Sequence, residues 1–348
     1  MRTHPAMRLV TVLAAAAALA DAPAPIITQQ ISGTTSRLQA VSPVSDLVAW
    51  ASGTGGTYVR TTDGGDHWRA GVVPGADSLE FRDVAALDSL TAWLLAAGPG
   101  DRSRIYRTSD GGATWTRQFT NTDSAAFFDC FSFWDPKHGI AVSDGVRGHF
   151  PLLVTEDGGA HWTLHTADGP AADSGEGAFA ASGTCLITGS GGHAWIGTGA
   201  SPTGGGRVLS TADFGKTWTT TTTPIQHGTT STGITSLAFR DAMHGFAGGG
   251  DIGARASQTV RVARTDDGGR TWAALPAPGF PGAVYGIASA PGTEALVAVG
   301  PGGAAYSADG GSGWVALDSS SYWSAGFASA RAGWLVGPRG RIAKVSLP

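Results

Sequence analysis

Thr61-Thr-Asp-Gly-Gly-Asp-His-Trp68 decides the reading of this chain, because the same order of residue types returns five more times. The copies are Thr108-Ser-Asp-Gly-Gly-Ala-Thr-Trp115, Thr155-Glu-Asp-Gly-Gly-Ala-His-Trp162, Thr211-Ala-Asp-Phe-Gly-Lys-Thr-Trp218, Thr265-Asp-Asp-Gly-Gly-Arg-Thr-Trp272 and Ser307-Ala-Asp-Gly-Gly-Ser-Gly-Trp314. Their aspartates, Asp63, Asp110, Asp157, Asp213, Asp267 and Asp309, stand 47, 47, 56, 54 and 42 residues apart by subtraction. A period of about 40 to 50 residues is that of a four-stranded propeller blade. The Asp, with Thr or Ser two places before it, accepts hydrogen bonds from the turn that follows, and Gly in the fifth place tolerates positive φ. Each Trp (Trp68, Trp115, Trp162, Trp218, Trp272, Trp314) opens the next strand and is suited to wedge between sheets while its N–H finds a carbonyl. His67 and His161 hold the seventh place, where other copies carry Thr or Gly, and read as turn-side polar residues.

Between these turns lies a second pattern of alternating strand, turn, Gly-punctuated strand and a further strand. Such units fall near residues 38–62, 82–109, 127–156, 178–211, 234–265, 284–307 and 323–345. That makes seven units for six turns, since the chain ends at Pro348 before a last outer strand. Residues 26–32, IITQQIS, are placed to supply it by pairing the two ends of the chain, which also covers an exposed sheet edge. The expected fold is all-β: a seven-bladed propeller of four-stranded blades, closed by the N-terminal strand.

The N-terminus places Arg2 and Arg8 ahead of an apolar run, Leu9 to Ala20, too short for the roughly 20 residues of a membrane-spanning helix. It reads as an export signal over 1–20, followed by a single propeller domain over 21–348, located in the periplasm or outside the cell. With 53 Gly, 18 Pro and 14% charged residues, the composition favours turns and strands. A net charge of −4 without a basic stripe argues against nucleic acid. Cys130 and Cys185 fall in adjacent units; buried small hydrophobes are their ordinary reading and a bridge the alternative.

The units Phe133–Asp144 (FWDPKHGIAVSD), Phe239–Gly250 (FRDAMHGFAGGG) and Phe327–Val345 (FASARAGWLVGPRGRIAKV), together with the repeated turns, resemble the Asp-box (BNR) propellers and, within them, the group similar to the Ycf48 photosystem II assembly factor. The resemblance covers nearly the whole mature chain. It implies a binding scaffold docked on a partner protein; the oxidoreductase label often given to similar proteins implies no redox site. The clustered arginines of that group's partner-binding face have no residue-by-residue match here. Sialidases share the turns only, because an Arg-Ile-Pro motif and a three-arginine, Tyr and Glu set are missing. Xyloglucan-active hydrolases with these boxes carry two propellers in a longer chain.

In this blade order the b–c and d–a loops share one face, where loops vary without disturbing the ring. Candidate binding residues there are Asp129, Asp144, Arg147, His149, Asp173, Glu176, His227, Asp251 and Arg255, joined by Tyr285, Tyr322 and Trp323 as exposed aromatics for a peptide or glycan. Asp144 with Glu176 is the pair to weigh for acid and base work; channel-lining polar groups are the simpler account. His149 and His227 lack metal-ligand spacing, and Gly189–Gly192 and Gly204–Gly206 lack the GK[ST] ending of a phosphate loop. No metal, cofactor or catalytic residue is assigned. The resulting expectation is a monomeric, non-catalytic scaffold for a protein partner, with a glycan-acting hydrolase of sialidase-like propeller type as the alternative.

Overall fold

The computed structural model describes residues 24–202, 204, 206–256 and 260–348; the expected export signal lies outside them. Seven antiparallel sheets of four strands are present among these residues. The innermost strands are Leu38–Pro43, Phe81–Ala86, Phe128–Phe133, Leu186–Thr188, Thr232–Phe239, Gly286–Ser289 and Ser324–Ser329. Each touches the innermost strand of the next blade, and the seventh touches the first, so the sheets form a circle around a channel. Among the described residues helical structure is limited to three single 3-10 turns, and no helix is long and apolar enough to cross a membrane.

The ring is fastened by both ends of the chain, as the strand count requires. Ile26–Ile31 pairs antiparallel with Arg341–Ser346, from Ile26 opposite Ser346 to Ile31 opposite Arg341. Gln30 locks this seam. Its Oε1 accepts from the indole N–H of Trp68 (3.0 Å) and of Trp334 (3.2 Å), and its Nε2 donates to Gly64 O (3.1 Å). One amide thus joins the closing strand to blades 1 and 7, while Trp68 and Trp334 pack edge to face.

All six repeated turns close by the same chemistry. In the first, Thr61 Oγ1 donates to Asp63 Oδ1 and accepts from Gly65 N, while Asp63 Oδ1 also accepts from His67 N (all 2.9 Å). The seventh residue serves the second carboxylate oxygen: His67 and His161 through Nδ1, and Thr114, Thr217 and Thr271 through Oγ1. These bonds hold the carboxyls of Asp63, Asp110, Asp157, Asp213 and Asp267 down at about 2. In the sixth turn Gly313 offers only its N–H (2.9 Å). Gly313→Thr, copying Thr271, is therefore expected to stabilise the fold by about 1 kcal/mol, partly by restricting the unfolded chain. A rise in the urea midpoint checks this. The tryptophan N–H groups behave less uniformly than the sequence suggests. Trp218, Trp272 and Trp314 donate to backbone carbonyls and Trp68 to Gln30, whereas those of Trp115 and Trp162 are buried without a partner.

The core is divided into seven apolar clusters, one in each wedge between neighbouring blades. Cys130 and Cys185 lie in the wedge between blades 3 and 4 and form a disulfide with Cα atoms 6.0 Å apart, which corrects the ordinary reading of two buried thiols. Blade 4 departs from the pattern as well. Its inner strand is shortened to Leu186–Thr188, and residues 178–184 leave the sheet to cross the channel. There Ser182 O accepts from Ser324 Oγ of blade 7 (2.8 Å), Gly183 stands against Asp83 of blade 2 and Ala40 of blade 1, and Thr184 meets Ser236 of blade 5 (2.7 Å). This segment is an axial plug, and the disulfide follows it at once.

Candidate functional site

Isolated bridges between Thr54 and Glu80, Pro99 and Phe127, and Gly177, Gly199 and Gly233 knit the b–c loops to the d–a loops of the following blades, so these loops form one face. The inner strands of blades 1, 2, 3 and 5 carry a bulge near this end, which inserts Gln39, Arg82, Asp129 and Thr235. Such bulges re-aim side chains where a regular strand would only alternate them.

The candidate residues divide into three groups. Asp129 and Asp144 come together beneath the plug. Asp144 Oδ1 accepts from Ala178 N (3.1 Å), and Asp129 is hydrogen-bonded to the backbone of Ala180. Burial and the neighbouring Asp144 carboxyl push Asp129 well above the usual carboxylate range, opposed by Arg82 and the Ala180 backbone, and burial raises Asp144 to about 6. Asp129 Oδ2 has no hydrogen-bond partner.

Glu176, expected to work with Asp144, is instead fixed elsewhere. Arg207 grips both of its oxygens, Thr198 Oγ1 donates to Oε1, and the Asp173 N–H donates to Oε2 (2.8 Å). Asp173 adds a longer ion pair to the same guanidinium (3.7 Å). The Asp144 and Glu176 pairing for proton transfer therefore fails on geometry: one is committed to Asp129 and the plug, the other to Arg207.

Arg147, His149, His227 and Asp251 shape loops. Arg147 adopts φ 54° and pairs with Asp123 (2.9 Å). His149 Nδ1 donates to Gly169 O (3.0 Å), His227 Nδ1 to Ile225 O (2.8 Å), and Asp251 Oδ1 accepts from Gly253 N (2.9 Å). No group of three metal-ligating side chains occurs among the described residues.

Arg255, Tyr285 and Trp323 converge on a groove of about 600 Å³ over blades 5 to 7. Tyr285 and Trp323 meet edge to face at 5.2 Å, with the Tyr285 hydroxyl donating to Ile252 O (3.4 Å). The guanidinium of Arg37 lies 4.6 Å above the Trp323 ring and reaches Glu80 (3.4 Å), which also holds Arg82 (2.8 Å). Arg255 is exposed at the rim. Tyr322 does not belong here. It is fully buried between blades 6 and 7, donating to Asp318 (2.6 Å) and accepting from Gln29 (3.0 Å), which corrects its reading as an exposed aromatic. Arg37, Glu80, Arg82 and Gln39 were missed. For Gln39 and Arg82 the available signal was a polar residue second in an inner strand, as in Leu38-Gln-Ala-Val41 and Phe81-Arg-Asp-Val84.

The buried acids give a signed pH dependence. Asp144 binds its proton more tightly when folded (about 6) than at its ordinary 3.8, so the stability from its protonation is full below 3.8 and lost as pH rises through 6. The turn aspartates act oppositely, losing their contribution as pH falls from 3.8 toward 2. Asp144→Asn is expected to flatten the decline in urea midpoint between about pH 4 and 7 and to leave the acid limb alone. An unchanged slope would contradict the burial assigned to this pair.

No family model and no curated protein matches the chain. Solved structures do. A structure of YCF48 bound to D1 peptide has TM-score 0.64 at 16% identity, covering 94% of this chain and 99% of that one. YCF48 from Cyanidioschyzon merolae has TM-score 0.66 at 18% identity, with coverage of 92% and 98%. The GH74 enzyme of Niastella koreensis has TM-score 0.58 at 15% identity, with coverage of 91% of this chain and 53% of that chain. At these identities the likeness is one of fold.

Proposed function

We propose that this chain is an exported Asp-box (BNR) propeller of the Ycf48-like kind, a non-catalytic scaffold that holds a segment of a protein partner on its loop face. The observation that carries this reading is the groove beside Tyr285 and Trp323, with Arg255 at its rim. Rigid aromatics and arginine are the residue types that dominate binding energy at protein interfaces. The neighbouring propeller bound to D1 peptide supports a peptide-like ligand. Export is supported by Arg2, Arg8 and the apolar run after them, and by a disulfide, which persists in oxidising compartments. The acids that lie together, Asp129 and Asp144, are engaged with the plug backbone, which favours a scaffold over a hydrolase.

Affinity capture with the mature protein tests this. Tyr285→Ala with Trp323→Ala is expected to weaken capture of a stoichiometric partner by about 2 kcal/mol or more, roughly 30-fold. Arg147→Ala, on the same face but paired with Asp123, should leave it unchanged. Capture indifferent to the aromatic pair would reject the groove.

A further inference from the structure

The fourth place of the repeated turn is Gly64, Gly111, Gly158, Gly268 and Gly310 in five copies, and Phe214 in the other. The turn holds the five glycines at φ between 67° and 77° and Phe214 at 62°, a left-handed backbone that a bulky L-residue adopts only at a cost. Packing offsets this only in part. The Phe214 ring meets Trp134 at 5.3 Å with planes at 62°, and His138 at 5.9 Å, yet it stays 44% exposed. Its surroundings are nonetheless shaped to it, since a Cβ on Gly192 would stand 2.8 Å from Phe214 Cδ2. Residues held in such a conformation gather at ligand sites.

Phe214 and Trp134 line a cleft of about 220 Å³ between blades 3 and 4. The Trp134 indole N–H donates to His193 O (2.6 Å), so what this side chain offers the cleft is carbon. Leu152 and Val154 share one face of their strand by its period of two, with His165 opposite Leu152 on the next strand. The polar lining carries both signs: Glu156 and Asp168 bring carboxylates and Lys216 an ammonium. Asp168 lies 3.9 Å from His165, His138 is held by Asp135 (2.7 Å), and the Thr155 hydroxyl is engaged in its own turn. The exposed side chains of Glu156 and Lys216 make no hydrogen bond or ion pair among the described residues. A second depression of about 550 Å³ shares Val154, Glu156 and His165 and extends the cleft to Thr163 and His161.

That lining selects its ligand. A cation would meet Lys216, and an anion would meet Glu156 and Asp168. A neutral ring with an apolar face and hydroxyls around its edge suits every group present. Its C–H bonds lie on the electron-rich faces of the aromatic pair, while its hydroxyls donate to the carboxylates and accept from the ammonium.

We propose that this cleft binds a neutral sugar, one pyranose ring stacked on Phe214 with its hydroxyls on Glu156 and Lys216. The site lies between blades 3 and 4, whereas the loop-face groove belongs to blades 5 to 7, and it does not depend on the partner reading.

Cellobiose, tetramethylammonium and benzoate are each titrated into the full chain while the methyl resonances of Leu152 and Val154 are followed by NMR. Cellobiose is expected to shift them and to show NOEs from its ring protons to the Phe214 ring; neither ion should do so. Phe214→Gly, which restores the residue of the other five turns, should keep the circular dichroism spectrum and weaken cellobiose by about tenfold. Glu156→Ala should weaken it about fivefold, as the loss of one net hydrogen bond does. No shift with cellobiose, shifts with either ion in its place, or binding unchanged in Phe214→Gly would each overturn the site; should that variant not fold, Glu156→Ala and the NOEs to Phe214 decide.

Discussion

Replacing both cysteines, Cys130→Ala with Cys185→Ala, is expected to lower the free energy of unfolding by about 4 kcal/mol, the chain-entropy value for a loop of this length. The bridge closes 55 residues and joins the inner strand of blade 3 to the foot of the plug in blade 4. Both residues are completely buried among Ile140, Leu152, Leu186 and Ile196, so the alanines also leave unfilled space in that wedge. The shortened strand Leu186–Thr188 makes this wedge depend on the covalent tie more than its neighbours do. Equilibrium urea denaturation of the double variant reads the loss. A change below about 1 kcal/mol would mean that the tie adds little to what packing already supplies.

Gln30→Ala is expected to cost about 3 kcal/mol, because the truncation leaves two indole N–H groups without an acceptor as well as removing a bond to Gly64. Trp334 is fully buried and Trp68 nearly so, which keeps water from replacing the amide. The loss falls on the seam between blades 7 and 1, so the intrinsic fluorescence of those tryptophans should change with it. Gln30→Glu is informative beside it: the carboxylate keeps an acceptor for both indoles but loses the donor to Gly64 O. Denaturation midpoints of the two variants, ordered wild type above Gln30→Glu above Gln30→Ala, check the assignment.

The ring was legible in the sequence because its turn chemistry is local. Thr61, Asp63 and Gly65 satisfy one another within five residues, and that logic repeats wherever the same types recur. The closing strand was legible by counting, although nothing in IITQQIS singles out Gln30, whose partners lie up to 304 residues away. The plug was hidden because residues 178–184 have the small and apolar composition of an inner strand; only packing across the channel shows that they leave the sheet. For the candidate face, Tyr285, Trp323 and Arg255 were named as residue types on one set of loops. Arg37 and Glu80 were not, since what recruits them is a stacking contact and an ion pair between blades 1, 2 and 7. Asp129 and Asp144 were both named, yet their relation depends on burial, which spacing does not report.

Hydrogen exchange of the backbone amides in Ile26–Ile31 and Arg341–Ser346 tests the closure most directly. If the two ends form one blade, the inward-bonded amides of Ile26–Ile31 exchange only with global unfolding, at the same free energy as those of the inner strands. Exchange of Ile26–Ile31 as a frayed terminus, with Arg341–Ser346 exposed as an open edge while the other blades stay protected, would contradict the ring.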